Sequence, residues 1–360
     1  MRIIFFGDGL WATLCLEHLL NNGHKILAVV VRRQPSDLSL LKLTEKISCP
    51  VYQPHNVNDS DFVSLVTSLE PQLNISMSYD QILQKPIINT APLGFINCHA
   101  GKLPYYRGRN VINWAIINNE KEIGLTVHYI DEGIDTGDII IQKIIPVYWN
   151  DTYGTILERT VQNFPELLTE VVSLIEQQKA PRIPQDHIQG TYFCKRIIGD
   201  EWIDWNDTSL NIYNKIRALT HPGPGARTLL GEKTLIIWEA RYDPAWPKYI
   251  ATPGEVIGKL DGQGIMVKTK DSIIFLENIQ LEGASELIPN FPIGTRLGID
   301  LFQIVMQFQK ELVFLQKNSI NRKRALLNEN TLPYSGGGRT RPSNYRYFAA
   351  NRRIYSLGCA

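Results

Sequence analysis

The feature that most constrains the fold is a regular alternation of apolar strands and amphipathic helices over the first hundred residues. The apolar run RIIFFGDG is followed by LWATLCLEHLLNNG at helical spacing and then by a second apolar run, HKILAVVV. Such alternation is typical of a doubly wound parallel sheet. We therefore predict an α/β, Rossmann-like domain over residues 1–200, with ligands bound beyond the carboxyl ends of its strands.

Polar side chains follow the next apolar strand, in the stretch INCHAGKLPYYRG at residues 96–108. Side chains alternate along an extended segment, so Asn97 and His99 share one face while Cys98 points away from them. Both residues would lie at the carboxyl edge of the sheet, where a ligand crevice is expected. The pattern therefore marks this edge as the candidate site.

An acidic, Gly-rich loop follows a second strand-like run and contains Asp131, Glu132, Asp135 and Asp138. A carboxylate from this loop would form an acid–base pair with His99, because it fixes the tautomer and stabilises the imidazolium. Asn97 would add a neutral donor for a developing oxyanion. No Ser or Cys lies in a nucleophile-elbow motif, so the pattern favours direct attack of a substrate nucleophile on a carbonyl.

The residues IN.HAGKLPYYRG, with DTGDI beginning 27 residues after Gly108, resemble the signature of the 10-formyltetrahydrofolate-dependent formyltransferases. That signature pairs Asn-x-His with HxxxLPxxxG and a downstream Asp-x-Gly. The family includes enzymes that formylate methionyl-tRNA, glycinamide ribonucleotide and aminosugars. The resemblance extends over about residues 1–285. It implies 10-formyltetrahydrofolate as co-substrate, no metal, and direct attack of an amine through a tetrahedral intermediate.

The resemblance also implies roles for individual residues. Asn97 and His99 would stabilise the oxyanion, and Asp135, chosen over Asp131 by the Asp-Thr-Gly-Asp motif, would orient His99 and help move the proton. The residues expected around the folate are Met77, Ser78, Tyr79, Ile82, Leu83, Asp131 and Gly133. The residues expected to contact the formyl acceptor by stacking or phosphate binding are Lys102, Tyr105, Tyr106, Arg107 and Asn110.

The C-terminal part of the chain contains short alternating strands and DG turns, as in PGEVIGKLDGQGIMVKTKDSIIFLENIQLEG. This pattern predicts an OB-like β-barrel domain over residues 201–288. Residues 289–360 are predicted to form a helical extension with a basic tail, which the resemblance does not explain. Three roles are open for this extension: binding a partner, closing over the site, or forming a homodimer.

The charge distribution bears on the acceptor. Residues 321–360 carry eight basic residues and one acidic residue, so the rest of the chain has a net charge of −6. The tail suits phosphate binding or is a loosely ordered terminus. The tRNA enzymes of the family typically carry a basic insertion after the second strand, whereas RRQPSDLSLLKL is short and lightly basic. A protein that binds a nucleic acid depends on phosphate contacts, which a net negative charge disfavours. Nucleic acid is therefore not the expected partner.

The predicted acceptor is therefore a small molecule, the amino group of a nucleotide-linked deoxyaminosugar. Methionyl-tRNA and a small amine of secondary metabolism are the alternatives within the family. An NADP-dependent oxidoreductase is an alternative of another class, because Gly7-x-Gly9-x-x-Ala12 follows the first strand and Arg32 and Arg33 follow the second.

The cysteine pattern and the lengths of the apolar runs bear on the location of the protein in the cell. The five cysteines form no CxxC or zinc-like pair, and the run after Met1 is too short for a secretory leader. No apolar run approaches the length that spans a bilayer. These features predict a cytoplasmic protein with reduced thiols and no membrane partner.

Overall fold

The computed structural model describes residues 1–298 and 301–329. Met1–Ile299 forms one compact unit, and the helix at Leu301–Glu329 belongs to a second. The strands of the N-terminal part are β1 (Arg2–Gly7), β2 (Lys25–Val31), β3 (Val51–Tyr52), β4 (Leu73–Met77), β5 (Phe95–His99), β6 (Arg107–Gly108), β7 (Glu122–Tyr129), β8 (Ile139–Pro146) and β9 (Tyr192–Phe193). The helices of this part are α1 (Gly9–Asn21), α2 (Ser39–Lys46), α3 (Ser60–Ser68), α4 (Lys85–Ile88), α5 (Val111–Ile117) and α6 (Tyr153–Glu176).

Seven of these strands form one mixed sheet in the order β3-β2-β1-β4-β5-β7-β8. The first five pair in parallel, and β7 and β8 pair antiparallel. The predicted α/β, Rossmann-like sheet is confirmed, with two antiparallel strands added at one edge. A short loop joins β7 to β8, which fits an antiparallel pair because a parallel connection needs a longer crossover.

Helices cover both faces of the sheet, as the apolar strands require. Along β1, Ile3 and Phe5 pack into a core shared with α1, α5 and α6. The alternate residues Ile4 and Phe6 pack into a second core with residues of α3 and α4. Alternate side chains of this one strand therefore contribute to two hydrophobic layers.

A second, antiparallel sheet follows in the same unit, as predicted from the short alternating strands. Its elements are α7 (Ser209–Leu219), β10 (Ala226–Leu230), β11 (Lys233–Arg241), β12 (Val256–Leu260), β13 (Gly264–Lys268), β14 (Ile273–Leu281) and β15 (Glu286–Leu287). The order is β10-β11-β14-β13-β12, and β15 pairs with β14. Helix α7 packs on a core that includes Trp205, Ile237 and Leu276. The domain limits at residues 200 and 288 stay predictions.

The C-terminal extension contains the helix α8 (Leu301–Glu329), in agreement with the helical character expected there. The basic tail lies, beyond residue 329, outside the described residues. Within the described ranges, every helix is too short or too polar to cross a bilayer.

Candidate active site

A cleft of about 810 Å³ opens at the carboxyl ends of β4 and β5, where the sequence places its polar cluster. This volume is in the range of small-molecule sites. Asn97, His99 and Asp135 all line it. The other charged residues of the lining are Arg32, Asp80, Arg109, Asp131 and Lys195. The cleft therefore combines a polar floor with a rim of mixed charge.

The register of the sheet brings the floor together. Asn97 in β5 is the partner of His128 in β7, and partners in an antiparallel pair project to the same face. His99 follows Asn97 by two residues and shares this face. Cys98 packs instead into the hydrophobic core, where burial raises the pKa of its thiol well above the usual range. A nucleophilic thiolate at Cys98 is therefore disfavoured.

Asp135 lies between two histidines. Its Oδ2 is 3.6 Å from His99 Nδ1, and its Oδ1 is 3.5 Å from His128 Nε2. The Gly108 N–H donates to Asp135 Oδ2 at 2.8 Å. Burial alone would raise the pKa of Asp135, but the positive charge of the protonated forms of His99 and His128, together with the Gly108 N–H, holds that pKa well below its usual range. Asp135 is therefore a stable carboxylate that faces both rings.

Backbone carbonyls fix the tautomer of each ring. His99 Nε2 lies 2.7 Å from the Tyr106 carbonyl oxygen, and His128 Nδ1 lies 2.7 Å from that of Tyr129. A carbonyl only accepts hydrogen bonds, so each of these nitrogens carries the proton. The other nitrogen of each ring faces Asp135. A proton taken up by either ring would sit beside the carboxylate, which is the arrangement of a general acid–base pair.

Asn97 completes the polar floor. Its Nδ2 lies 3.3 Å from Asp135 Oδ1 and 3.3 Å from His128 Nε2. Both distances exceed the usual 2.9–3.0 Å of an N–H···O bond, so these contacts are weak. An incoming oxygen could replace either of them. Asn97 is thus placed to donate to a substrate oxygen above Asp135.

Local backbone geometry holds these groups in place. Tyr106, Asn110 and Asp135 adopt left-handed φ angles of 58°, 55° and 53°. Such strain in residues other than glycine concentrates at functional sites. At Gly101 a Cβ would collide with both His99 Nε2 and the Tyr106 carbonyl oxygen, so only glycine fits there. The HAG and YYRG segments therefore act together to set the position of His99.

A buried network supports the loop of Asp135 from behind. The Arg107 side chain is fully buried, and its Nε and Nη2 donate to Gln185 Oε1 at 3.1 and 2.6 Å. Gln185 Nε2 in turn donates to the backbone carbonyls of Asp135 and Gly137, at 3.0 and 2.7 Å. Arg107 Nη1 donates to the Tyr192 hydroxyl at 2.8 Å. The network ties the loop that carries Asp135 to the segment that precedes β9.

The residues predicted around the folate lie mostly on the cleft wall. Those that line it are Ser78, Tyr79, Ile82, Leu83, Asp131 and Gly133. Met77 does not, since its side chain is fully buried in the core beneath the sheet. The Tyr79 hydroxyl is buried without a hydrogen-bond partner in the described residues. This wall therefore offers apolar surface with an unused polar group.

The residues predicted to contact the acceptor do not form one group. Only Asn110 lines the cleft. Lys102, Tyr105 and Tyr106 line a separate cavity of about 370 Å³ next to it. Arg107 is buried, so in this structure its guanidinium is directed to Gln185 rather than to a ligand. The phosphate-binding interpretation of Arg107 is therefore replaced by a role in supporting the loop.

Several residues of the cleft were missed by the sequence reasoning. They are His128, Arg109, Tyr153, Tyr192, Phe193 and Lys195. His128 had a usable signal, because it lies in the strand that leads into the acidic loop. Arg109 directly follows the YYRG segment, whereas Tyr153, Tyr192, Phe193 and Lys195 come from segments distant in sequence, and no local pattern marks them.

The sequence matches two family models, Formyl transferase over residues 1–172 and Formyl transferase, C-terminal domain, over residues 199–291. The methionyl-tRNA formyltransferase of Desulforamulus reducens is 34% identical over 295 residues, covering 80% of this chain and 92% of that protein. The chain belongs to the formyltransferase family. The corresponding enzyme of Syntrophus aciditrophicus is 35% identical over 308 residues, covering 83% of this chain and 97% of its own. The protein is thus a folate-dependent one-carbon transferase.

A solved structure shares the fold. The N-formyltransferase from Helicobacter canadensis, in complex with folinic acid and dTDP-3-aminofucose, aligns with a TM-score of 0.61 at 22% identity. The alignment covers 77% of this chain and 99% of that one. Gly7 has a packing explanation. It is the last residue of β1, and a Cβ there would collide with Phe5 and Ala12. Close packing therefore explains Gly7, and membership of the formyltransferase family excludes the oxidoreductase alternative.

Proposed function

We propose that this formyltransferase moves the formyl group of 10-formyltetrahydrofolate to the amino group of a nucleotide-linked deoxyaminosugar. The observation that favours this acceptor over a tRNA is the short connection between β2 and α2. It comprises residues 32–38, and its Arg32 lies 3.2 Å from the buried carboxylate of Asp8. A connection of this kind offers little positive charge to a nucleic-acid backbone.

The remaining cations of the cleft suit a diphosphate better than a tRNA acceptor arm. Arg109 and Lys195 are both exposed at the cleft, and Arg109 is anchored by a 2.8 Å hydrogen bond to the Asp80 carbonyl oxygen. Two cations match the charge of one diphosphate group. Tyr192 and Phe193 of the same lining add aromatic surface on which a nucleobase can stack.

The wall at residues 78–83 fits the folate on chemical grounds. Its apolar side chains would contact the pterin ring. The folate supplies the formyl carbon, which it carries on nitrogen. Asn97 and His99 would then face the formyl oxygen, and the acceptor amine would enter from the rim.

The proposed chemistry balances without a covalent enzyme intermediate. The amine nitrogen attacks the formyl carbon, a new C–N bond forms, and Asn97 donates to the oxygen that gains negative charge. His99 Nδ1 takes the proton released by the amine, and Asp135 stabilises the resulting imidazolium. The same proton then goes to the leaving folate nitrogen as its bond to the formyl carbon breaks. His99 ends each cycle in its starting state.

Methionyl-tRNA is the second candidate acceptor, favoured by the names of the two sequence relatives reported above. Their identity of about one third extends through the C-terminal sheet domain. These relatives support the shared chemistry and carry the name of the methionyl-tRNA acceptor, whereas charge and cleft geometry favour the sugar nucleotide.

A two-arm formylation assay tests the proposal. Purified protein is incubated with 10-formyltetrahydrofolate and either dTDP-linked 3-amino and 4-amino deoxysugars or methionyl-tRNA. Release of tetrahydrofolate and the gain of one CO unit by the acceptor are measured, with the Asp135→Asn variant as a blank. We expect formylation in the sugar arm alone. Formylation of methionyl-tRNA alone would overturn the proposed acceptor and leave the proposed chemistry intact.

A further inference from the structure

The carbonyl that holds His99 belongs to a residue whose backbone is in an unfavourable conformation. The Tyr106 carbonyl oxygen lies 2.7 Å from His99 Nε2, and the φ angle of Tyr106 is 58°. A bulky residue rarely adopts this left-handed region, so the backbone would relax if nothing held it there. Relaxation would turn the carbonyl away from the ring. The contacts of Tyr106 therefore decide whether His99 keeps this hydrogen bond.

Tyr106 is held by residues distant from it in the chain. Its N–H donates to Thr191 Oγ1 at 2.9 Å, and its hydroxyl donates to Glu120 Oε1 at 2.7 Å. Asn118 Nδ2 donates to the same hydroxyl at 3.3 Å, which is a weaker contact. One face of the ring stacks on Phe193, with the centroids 4.9 Å apart and the planes 7° from parallel. Of these contacts, the bond to Glu120 fixes the far end of the side chain.

Packing does not enclose this side chain on all sides. Tyr106 and Glu120 both line the cavity of about 370 Å³ that lies next to the cleft. The directional bond between them therefore carries more of the constraint than it would in a close-packed core. Burial, together with the bond to Glu120, raises the pKa of the Tyr106 hydroxyl, so it remains a donor at neutral pH. Among the described residues, Tyr106 is the only side-chain hydrogen-bond partner of the Glu120 carboxylate.

We propose that Glu120, in the turn between α5 and β7, is a positioning residue for His99. Its carboxylate holds the Tyr106 hydroxyl, which keeps the Tyr106 backbone at its left-handed φ and the carbonyl within reach of His99 Nε2. The other ring nitrogen is thereby directed at Asp135. Glu120 acts only through Tyr106 and touches none of the reacting groups. The effect on catalysis rests on the proposed role of His99 in proton transfer.

Nuclear magnetic resonance of the full chain with ¹⁵N-labelled histidine rings tests the positioning without any substrate. The Nε2 proton of His99, shielded from water by its bond to the Tyr106 carbonyl, should give a resonance that is absent in His99→Ala. Glu120→Leu removes the acceptor of the Tyr106 hydroxyl and should abolish this resonance through exchange with water. The Nδ1 proton of His128, which bonds to the Tyr129 carbonyl, should keep its resonance and is the internal control.

Steady-state kinetics with the accepted amine measures the consequence for catalysis. Glu120→Leu should lower kcat by about tenfold or more with KM nearly unchanged, because His99 is misplaced while the cleft walls remain. Glu120→Gln keeps an oxygen that accepts from the Tyr106 hydroxyl, so its kcat should stay within about threefold of wild type. Glu122→Leu is the matched control, since it makes the same change at the same cavity on a carboxylate that pairs with Lys102 instead.

A double-mutant cycle tests whether Glu120 acts through Tyr106. Tyr106→Phe removes the hydroxyl and keeps the ring that stacks on Phe193, so its loss in kcat should match that of Glu120→Leu. The double variant Tyr106→Phe/Glu120→Leu should lose no more than either single variant, because both remove the same bond. Additive losses would mean that the two residues act separately, and would overturn the proposal.

Two further results would overturn it. A Glu120→Leu variant that keeps the His99 resonance, or whose kcat equals that of Glu122→Leu, would show that Glu120 does not position His99. Loss of the His99 and His128 resonances together would assign Glu120 to general stability. Failure of the proposed chemistry looks different, since His99→Ala would then retain kcat while the resonances still report whether Glu120 positions the ring.

Discussion

The proposed proton transfer depends on the Asp135 carboxylate and the two histidine rings that face it. Each histidine donates one N–H to a backbone carbonyl, and the other nitrogen of each ring faces the same carboxylate. The pair nearest the cleft, His99 and Asp135, is the one that can take a proton from a bound amine. His128 is almost fully buried and contacts Asn97, so its role is to position the floor.

Replacement of His99 is the most direct test of this unit. His99→Ala should lower kcat by about 10²–10⁴, because it removes the group that takes the amine proton. Steady-state kinetics with the accepted amine substrate provides the measurement, and the exposed, remote His55→Ala serves as a matched control with unchanged kcat. A His99→Ala variant within tenfold of wild type would exclude His99 from proton transfer.

Replacement of Asn97 separates donation to the oxyanion from simple packing. Asn97→Ala should lower kcat by about 10²–10³ if its amide donates to the charged oxygen in the transition state. The weak 3.3 Å contacts of its Nδ2 are consistent with a group that waits for a stronger partner. A loss in kcat of less than tenfold would make Asn97 a positioning residue instead.

The low pKa of Asp135 has a consequence for stability. A carboxylate whose folded pKa lies below its unfolded value, about 3.9 for Asp, stabilises the fold above that value. The contribution is lost as the pH falls from there toward the folded pKa. Below about pH 5, the free energy of unfolding of wild type should therefore fall more steeply with decreasing pH than that of Asp135→Asn. Chemical denaturation at each pH measures both, and parallel slopes would contradict the prediction.

Gln185 links the loop that carries Asp135 to the segment before β9, and replacing it tests that link. Gln185→Leu removes the only side-chain donor seen to reach both the Asp135 and the Gly137 carbonyl in the described residues. It also leaves the buried Arg107 guanidinium with fewer acceptors. Its free energy of unfolding should fall by about 1–3 kcal/mol.

The kinetic signature distinguishes positioning from general destabilisation. For Gln185→Leu we expect kcat to fall by about tenfold or more with KM nearly unchanged, because the loop that carries Asp135 is misplaced while the cleft walls remain. Gln189→Leu is a suitable control, since Gln189 contacts Tyr105 and Asp186 at the surface. Loss of stability without loss of kcat would restrict the network to a structural role.

The elements also explain which parts of the site the sequence could predict. Asn97 and His99 follow from strand periodicity, and their strand sits between β4 and β7 as an apolar strand of a doubly wound sheet should. Arg107 was misread because its direction is set by pairing with Tyr192, which lies 85 residues further along the chain. No local pattern encodes a pairing of that range. His128 was missed although its strand leads directly into the acidic loop, and that position is the signal that could have marked it.

The distribution of net charge along the whole chain should distinguish the two acceptor classes. Residues 1–320 carry a net charge of −6, and the excess of basic residues lies in residues 321–360. An enzyme that gripped a tRNA through six to ten phosphate contacts would lose about 10³–10⁵ in affinity between 50 and 200 mM salt. A sugar nucleotide presents only one diphosphate group to Arg109 and Lys195, so far fewer counterions are released when it binds.

The salt dependence of KM for the accepted substrate therefore tests which class of acceptor the enzyme binds. For a sugar nucleotide, KM should rise by about tenfold or less over the same salt range, with kcat nearly constant. The Lys195→Ala variant should show a higher KM and a shallower salt dependence, because one phosphate contact is lost. A steep dependence in wild type, of three orders of magnitude or more, would mean that the acceptor is a polyanion and that the basic tail contributes to its binding.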